Sequence, residues 1–128
     1  MDYITWEGYS SLYTEIPDEN TFNRLMRRVR IKMDGITHMR VSKFVGSYRK
    51  TTATDFQKLV YAQIQDTACE LANLMYAQDM SGMGTGIASV SNDGYSESYA
   101  VTTAAEKEAQ QRKTVLNGLR GTGLAGVL

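Results

Sequence analysis

The residues that could carry chemistry are few in this 128-residue chain, and their spacing assembles no reaction centre. Cys69 and His38 are the sole cysteine and the sole histidine, and they lie far apart in sequence. A nucleophilic thiol needs a base beside it, and a structural zinc site needs four Cys or His ligands. The pair Asp66 and Glu70 has the i, i+4 spacing of a helix surface. We therefore predict a non-enzymatic protein without catalytic, cofactor-binding or metal-binding residues, with Cys69 buried and His38 structural or on the surface.

Two glycine-containing motifs resemble ligand loops only superficially. Residues 81–86, Ser-Gly-Met-Gly-Thr-Gly, lack the Gly-Lys-Ser/Thr ending of a phosphate loop and follow a predicted helix instead of a strand. Asn92-Asp93-Gly94 lacks the spaced acids of a calcium loop, but it is a strong turn signal between two alternating arms. Residues 87–99 therefore predict a projecting β-hairpin. Because a lone hairpin is marginally stable, it must contact the helices or another chain.

Helical patterns fill most of the remaining chain and predict a mainly α fold, a small bundle with two long core helices and a C-terminal helix. Thr5 predicts a short N-terminal helix through Leu12. Pro17, followed by two acids, predicts a helix over 17–37. Its apolar residues recur at three- and four-residue steps and form one stripe: Phe22, Leu25, Met26, Val29, Met33 and Ile36.

A second long helix is predicted from Thr54, as N-cap, to about Gln78, with Gly82 ending it. Its stripe comprises Phe56, Leu59, Val60, Ile64, Ala68, Leu71, Leu74 and Met75. The stretch 38–54 lacks a clear period, and we predict a loop there. The C-terminal helix begins after Thr102 or Thr103, with Glu106 completing a capping box on Thr103, and it ends at Gly118 and Gly121. Sparse apolar positions suggest that its first turns project from the body.

The chain has the size of one domain, which we place at residues 1–120, followed by a flexible C-terminal tail at 121–128. The tail is uncharged and apolar, so it either frays or becomes ordered on a partner. No apolar run approaches the ~20 residues of a membrane span, and no signal peptide is recognisable, so we expect no membrane association and a cytosolic site of synthesis.

The charges are unevenly distributed along a formally neutral chain. Residues 24–50 carry nine cationic side chains against Asp34 alone, whereas residues 51–128 carry five cationic against eight acidic side chains. This pattern has three interpretations: a solvated helix face, a head-to-tail contact between copies, or direct nucleic-acid binding. The candidate contact face comprises Arg24, Arg27, Arg28 and Arg30.

The order of these motifs resembles the head-tail connector proteins, also called adaptor or head-completion proteins, of tailed bacteriophages and prophages. The resemblance covers nearly the whole chain. Its most specific parts are the run Ser-Val-Ser-Asn-Asp-Gly-Tyr-Ser-Glu-Ser-Tyr at 89–99 and the Gly-Thr-Gly-Leu ending at 121–124. The arginine-rich helix after Ile16-Pro17-Asp18-Glu19 and the Ala-Cys-Glu-Leu-Ala run at 68–72 add to it.

The resemblance implies a structural virion protein that forms a ring of about a dozen copies beneath the portal vertex. The ring would extend the channel through which DNA passes without specific binding, in the neck between head and tail, after assembly in the bacterial cytoplasm. Its partners would be its own copies, the portal protein and a tail or head-closure protein. The resemblance implies a portal-binding tail at Gly121, Gly123, Leu124, Val127 and Leu128. It implies a contact to a neighbouring subunit or the next ring at Val90, Asn92, Asp93, Gly94, Tyr95 and Tyr99.

The chief alternative is a small nucleic-acid-binding regulator that uses the basic helix 17–37. This alternative predicts DNA affinity in the free protein and a compact dimer, whereas a connector predicts monomers in isolation and rings with a portal. The overall neutrality of the chain disfavours the regulator, because phosphate contacts need a surplus of cations on the binding face.

Overall fold

The computed structural model describes residues 3–83 and 103–125 and folds them into five α-helices. Helix accounts for 72% of these residues and none of them forms a strand, so the predicted mainly α class is confirmed. The predicted hairpin at 87–99 lies outside the described residues. Within the described ranges, no helix combines the length and the apolar character that crossing a bilayer requires.

An aromatic N-terminal segment contains the first helix, α1 (Trp6–Ser10). The ring of Trp6 lies 5.5 Å from that of Phe22, and the ring of Tyr9 lies 5.1 Å from the same phenylalanine, centroid to centroid. The Tyr9 hydroxyl donates to Asn73 Oδ1 at 2.5 Å. The ring contacts attach the segment to the helix that contains Phe22. The hydroxyl bond attaches it to the helix that contains Asn73, because a buried tyrosine needs a partner for its hydroxyl.

Helix α2 (Glu19–Ile36) follows the predicted boundaries to within two residues. Asp18 is its N-cap, and the Asp18 carboxylate accepts a hydrogen bond from the Thr21 N–H at 2.8 Å. That bond is the main reason why the pKa of Asp18 is lowered. The predicted stripe is confirmed, since its members are buried or, for Ile36, partly buried: Phe22, Leu25, Met26, Val29, Met33 and Ile36.

The predicted loop at 38–54 is wrong for residues 40–47, which form helix α3 (Arg40–Ser47). Val41 and Val45 are one turn apart and both buried, and this spacing is too short to stand out as a period in the sequence. The corner before α3 consists of His38 and Met39, both in the left-handed region with φ of 55° and 68°. Such residues cost about 1 kcal/mol or more each, so the surrounding packing must hold the corner in place.

The longest helix is α4 (Asp55–Met83). It begins as predicted, because Thr54 Oγ1 accepts from the Gln57 N–H while the Gln57 side chain accepts from the Thr54 N–H. Two members of its predicted core stripe, Phe56 and Leu59, are instead 59% and 64% exposed. The reason is positional: residues 54–59 are all exposed, and α4 enters the core only at Val60.

Helix α4 runs a full turn past the predicted end at Gln78, because that turn has partners in other helices. The Gln78 side chain is buried and donates to Gln110 Oε1 of the last helix, α5 (Ala104–Gly118), while Gln111 donates to it. Asp79 accepts two hydrogen bonds from the Arg28 guanidinium. These contacts place α5 on the body: residues 104–106 are exposed, Lys107 is partly buried and Gln111 is the first buried residue of the helix.

Helix α5 has the predicted capping box, with Thr103 and Glu106 bonded reciprocally. Its C-terminal end approaches α4 closely at Gly118, where a Cβ atom would lie 2.2 Å from Thr67 Oγ1. The Gln63 side chain donates to the Gly118 carbonyl at 3.2 Å in the same place. Gly118 is therefore required by the packing of α4 against α5, besides ending the helix as predicted.

We expect Gly118→Ala to destabilise the fold by about 1–3 kcal/mol, because the added methyl group forces the two helices apart. Gly46→Ala is the matched control, since a Cβ atom there meets nothing within 4 Å. This variant should gain about 0.5–1 kcal/mol from reduced chain entropy. Urea unfolding followed by circular dichroism measures both free energies. Equal stability of the two variants would contradict the close approach.

Candidate functional site

A buried polar cluster joins the N-terminal segment to α2 and α3. The Tyr3 hydroxyl donates to Asp34 Oδ1 at 2.5 Å, and the Ser42 hydroxyl donates to Asp34 Oδ2 at 3.0 Å. Burial, and then the bond to Asp34, raises the pKa of Tyr3 well above its ordinary value. The carboxylate is thus occupied by two hydroxyl donors from its own chain. This arrangement fixes three segments relative to one another.

The residues with nucleophilic or metal-binding potential are not brought together. Cys69 is fully buried, and its burial, followed by the charges of Asp66 and Glu70, raises its pKa from 9.0 to about 12. His38 is exposed at the α2–α3 corner. Across residues 3–83 and 103–125, no three His, Cys, Asp or Glu side chains are grouped so that they could hold a metal ion. Burial and the raised pKa of Cys69 both disfavour the thiolate, which is the nucleophilic form.

The four arginines of the predicted contact face are separated by the structure. Arg28 is paired with Asp79 of α4, with its nearer nitrogen at 2.6 Å. Arg30 lines a depression beside α3. Arg24 and Arg27 are exposed and form no salt bridge with any described residue. Lys32 of the same helix also forms a salt bridge within the chain, with Glu108 of α5. Arg24 and Arg27 are therefore the two of the four that are both exposed and without a salt bridge to the described residues.

These two arginines belong to a surface that the sequence analysis did not identify. Ile31 lies one helical turn beyond Arg27 and is 66% exposed, and Gly35 lies one turn further. We define the α2 face as Arg24, Arg27, Ile31 and Gly35. Depressions of about 620 and 310 Å³ flank it, and both are lined by Ile31 and Gly35. One feature of the sequence could have indicated this surface: Ile31 lies on the side of the helix opposite the buried stripe.

Neither close packing nor a positive φ requires a glycine at position 35 within the described residues. It sits in helical backbone, outside the left-handed region, and a Cβ atom there would meet nothing within 4 Å. Glycine in a helix costs about 0.5–1 kcal/mol relative to alanine. The α2 face thus has a smooth, uncovered position between exposed Ile31 and exposed Met39.

A second exposed surface runs along α4. We define the α4 face as Phe56, Leu59, Asp66 and Glu70, all of which are exposed. Its acidic end borders a depression of about 410 Å³ between α4 and α5. The Tyr13 hydroxyl donates to Glu70 at 3.1 Å, and burial together with this bond raises the pKa of Tyr13 to about 12. Neither Asp66 nor Glu70 forms a salt bridge with the described residues.

The predicted portal-binding tail begins inside the folded body. Gly121 and Gly123 have φ of 86° and 80°, a region that favours glycine, and they turn the chain back after α5. Thr122 between them is buried and donates to the Leu119 carbonyl at 2.6 Å. Leu124 packs against the core, and its carbonyl accepts from the Arg40 guanidinium at 3.4 Å.

The remaining predicted site residues lie outside the described residues. They are the tail residues Val127 and Leu128, and the hairpin residues Val90, Asn92, Asp93, Gly94, Tyr95 and Tyr99. No protein-family model matches the chain, nor does any curated protein or solved structure that it was compared with. The two exposed faces and the tail are therefore the features from which a function can be inferred.

We expect Cys69 to react with a thiol-disulfide reagent at pH 8 at least about a hundredfold more slowly in the native protein than in urea, since the thiolate is the reactive form. The rate of colour release by an aromatic disulfide measures this. Leu12→Cys provides the accessible control, because Leu12 is largely exposed. Equal rates for the two thiols in the native protein would show that the core around Cys69 is open.

Proposed function

We propose that this chain is a structural connector subunit of a tailed bacteriophage or prophage. In this proposal, copies of the chain form a ring between the portal vertex and the tail and extend the DNA channel. The sequence motifs at 89–99 and 121–124 suggest the family, and the helical body is compatible with it. The chain has no proposed catalytic role, no cofactor and no membrane partner, and its place would be the virion neck.

The observation that carries the proposal is that one chain has two unlike exposed faces. The α2 face is apolar and cationic, and the α4 face is apolar and anionic. Helices α2 and α4 contact each other through buried residues, and both faces consist of exposed residues outside that contact. A subunit that joins to copies of itself head to tail needs such a complementary pair, whereas an isologous dimer needs one self-complementary face.

The C-terminal tail is proposed to contact a second partner, the portal protein. Residues Gly121–Ala125 are held on the body through Thr122 and Leu124, so the last three residues start from a fixed point beside α3. Val127 and Leu128 are apolar and are suited to insertion into an apolar groove of a portal subunit. The hairpin at 87–99 would contact a neighbouring subunit or the next ring, as the resemblance implies.

The nucleic-acid-binding alternative loses support in the described residues. Arg28 and Lys32, two of the cations on the basic helix, are paired with Asp79 and Glu108 of the same chain. Each phosphate contact needs a cation that is free to release counterions. Strong, salt-sensitive binding of duplex DNA in a filter assay, abolished by substitution of Arg24 and Arg27, would nevertheless overturn the connector proposal in favour of a regulator.

We expect deletion of residues 126–128 to abolish co-purification with the portal protein of the same virus while the unfolding free energy stays unchanged. The contacts of Thr122 and Leu124 with the body survive this deletion. Leu12→Ala is the matched control for loss of an exposed apolar side chain elsewhere, and it should co-purify as the wild type does. Undiminished co-purification of the truncated chain would rule out the tail as the portal anchor.

A further inference from the structure

We infer that the α2 face of one copy binds the α4 face of the next copy, with the two helices antiparallel and Ile31 beside Leu59. This inference rests on the proposed ring, and it names the surfaces that build the ring. Both side chains are about two-thirds exposed, and burying each against the other removes apolar surface from water.

The register follows from the helical rise. Arg24 lies seven residues before Ile31 and Asp66 lies seven residues after Leu59, so in an antiparallel pair both are about 10 Å from the apolar centre on the same side. Glu70 lies one turn beyond Asp66, within reach of the same arginine side chain. Guanidinium groups bind carboxylates in a fork geometry, so this end of the contact is matched in charge and in shape.

The other end of the contact provides a reason for a glycine at position 35. In the same register, Phe56 of the neighbour lies opposite Gly35, between the depressions that flank the α2 face. An aromatic ring needs a shallow surface on which to lie, and a side chain at position 35 would occupy that space. The glycine costs helix stability, and neither close packing nor a positive φ within the described residues requires it; the close approach of Phe56 supplies a reason.

The antiparallel direction follows from the charges. In a parallel pair with Ile31 beside Leu59, Arg24 would lie beyond Phe56, far from Asp66 and Glu70. Repetition of the contact closes a ring when each copy is also rotated relative to the one before it.

The test uses the full-length chain bound to the portal protein of the same virus. A double variant, Ile31→Cys with Leu59→Cys, is treated with a short bifunctional thiol cross-linker, and Cys69 does not compete because it is buried. We expect a ladder of cross-linked multimers on a denaturing gel. A second double variant, Leu12→Cys with Ile31→Cys, has comparable exposure and should give no ladder.

A blocking variant provides an independent readout. A Cβ atom at Gly35 meets nothing within 4 Å, so Gly35→Leu should fold at least as stably as the wild type, but it should abolish ring assembly on the portal. Gly46→Leu, on α3 and equally unobstructed, should assemble normally. Two results together would overturn this contact: rings formed by the Gly35→Leu variant, and no ladder from the Ile31→Cys, Leu59→Cys double variant. The connector proposal would then still stand. Absence of rings from the wild-type chain on its portal would overturn both.

Discussion

The burial of α4 is the constraint on which the rest of the structure depends. A helix of 29 residues with apolar side chains around most of its circumference needs neighbours on several sides, because burial of apolar surface is the dominant favourable term in folding. Helix α2 and helix α5 cover two sides, and the aromatic N-terminal segment covers a third through Tyr9 and Asn73. The side that carries Leu59, Asp66 and Glu70 is exposed. The α4 face is thus the side of the longest helix that the other described elements leave uncovered.

Polar contacts then fix the orientation of the helices relative to one another, which burial of apolar surface leaves undetermined. Tyr3, Asp34 and Ser42 join α2 to α3, and Gln78 with Gln111 joins α4 to α5. Every buried side-chain nitrogen and oxygen in the described residues has a hydrogen-bond partner, so none of these contacts costs an unsatisfied group. A core held in this way keeps the α2 face and the α4 face at a constant relative position. A ring requires such constancy, since an angular error between the faces of one subunit accumulates from copy to copy.

Sequence patterns within a few residues predicted the helices, whereas contacts between distant residues determine which side chains are exposed. The stripe of α2 and the capping box of Thr103 and Glu106 depend on residues at most one turn apart, so their patterns are readable in the sequence. Helix α3 was missed because it is eight residues long and shows two buried valines only. The exposure of Phe56 and Leu59 depends on where neighbouring helices end, and the pairing of Arg28 with Asp79 joins distant parts of the chain. The candidate site was therefore predictable as a basic helix face, but its apolar centre and its complementary partner face were not.

In the connector proposal, copies of this chain join head to tail into a ring that continues a portal channel. Electron cryomicroscopy of the wild-type chain bound to the portal protein of the same virus tests it most directly. We expect one closed ring per portal, with an open central channel wide enough for duplex DNA and with Ile31 of each copy beside Leu59 of the next. A map showing separate single copies, or dimers related by a two-fold axis through one shared face, would contradict it.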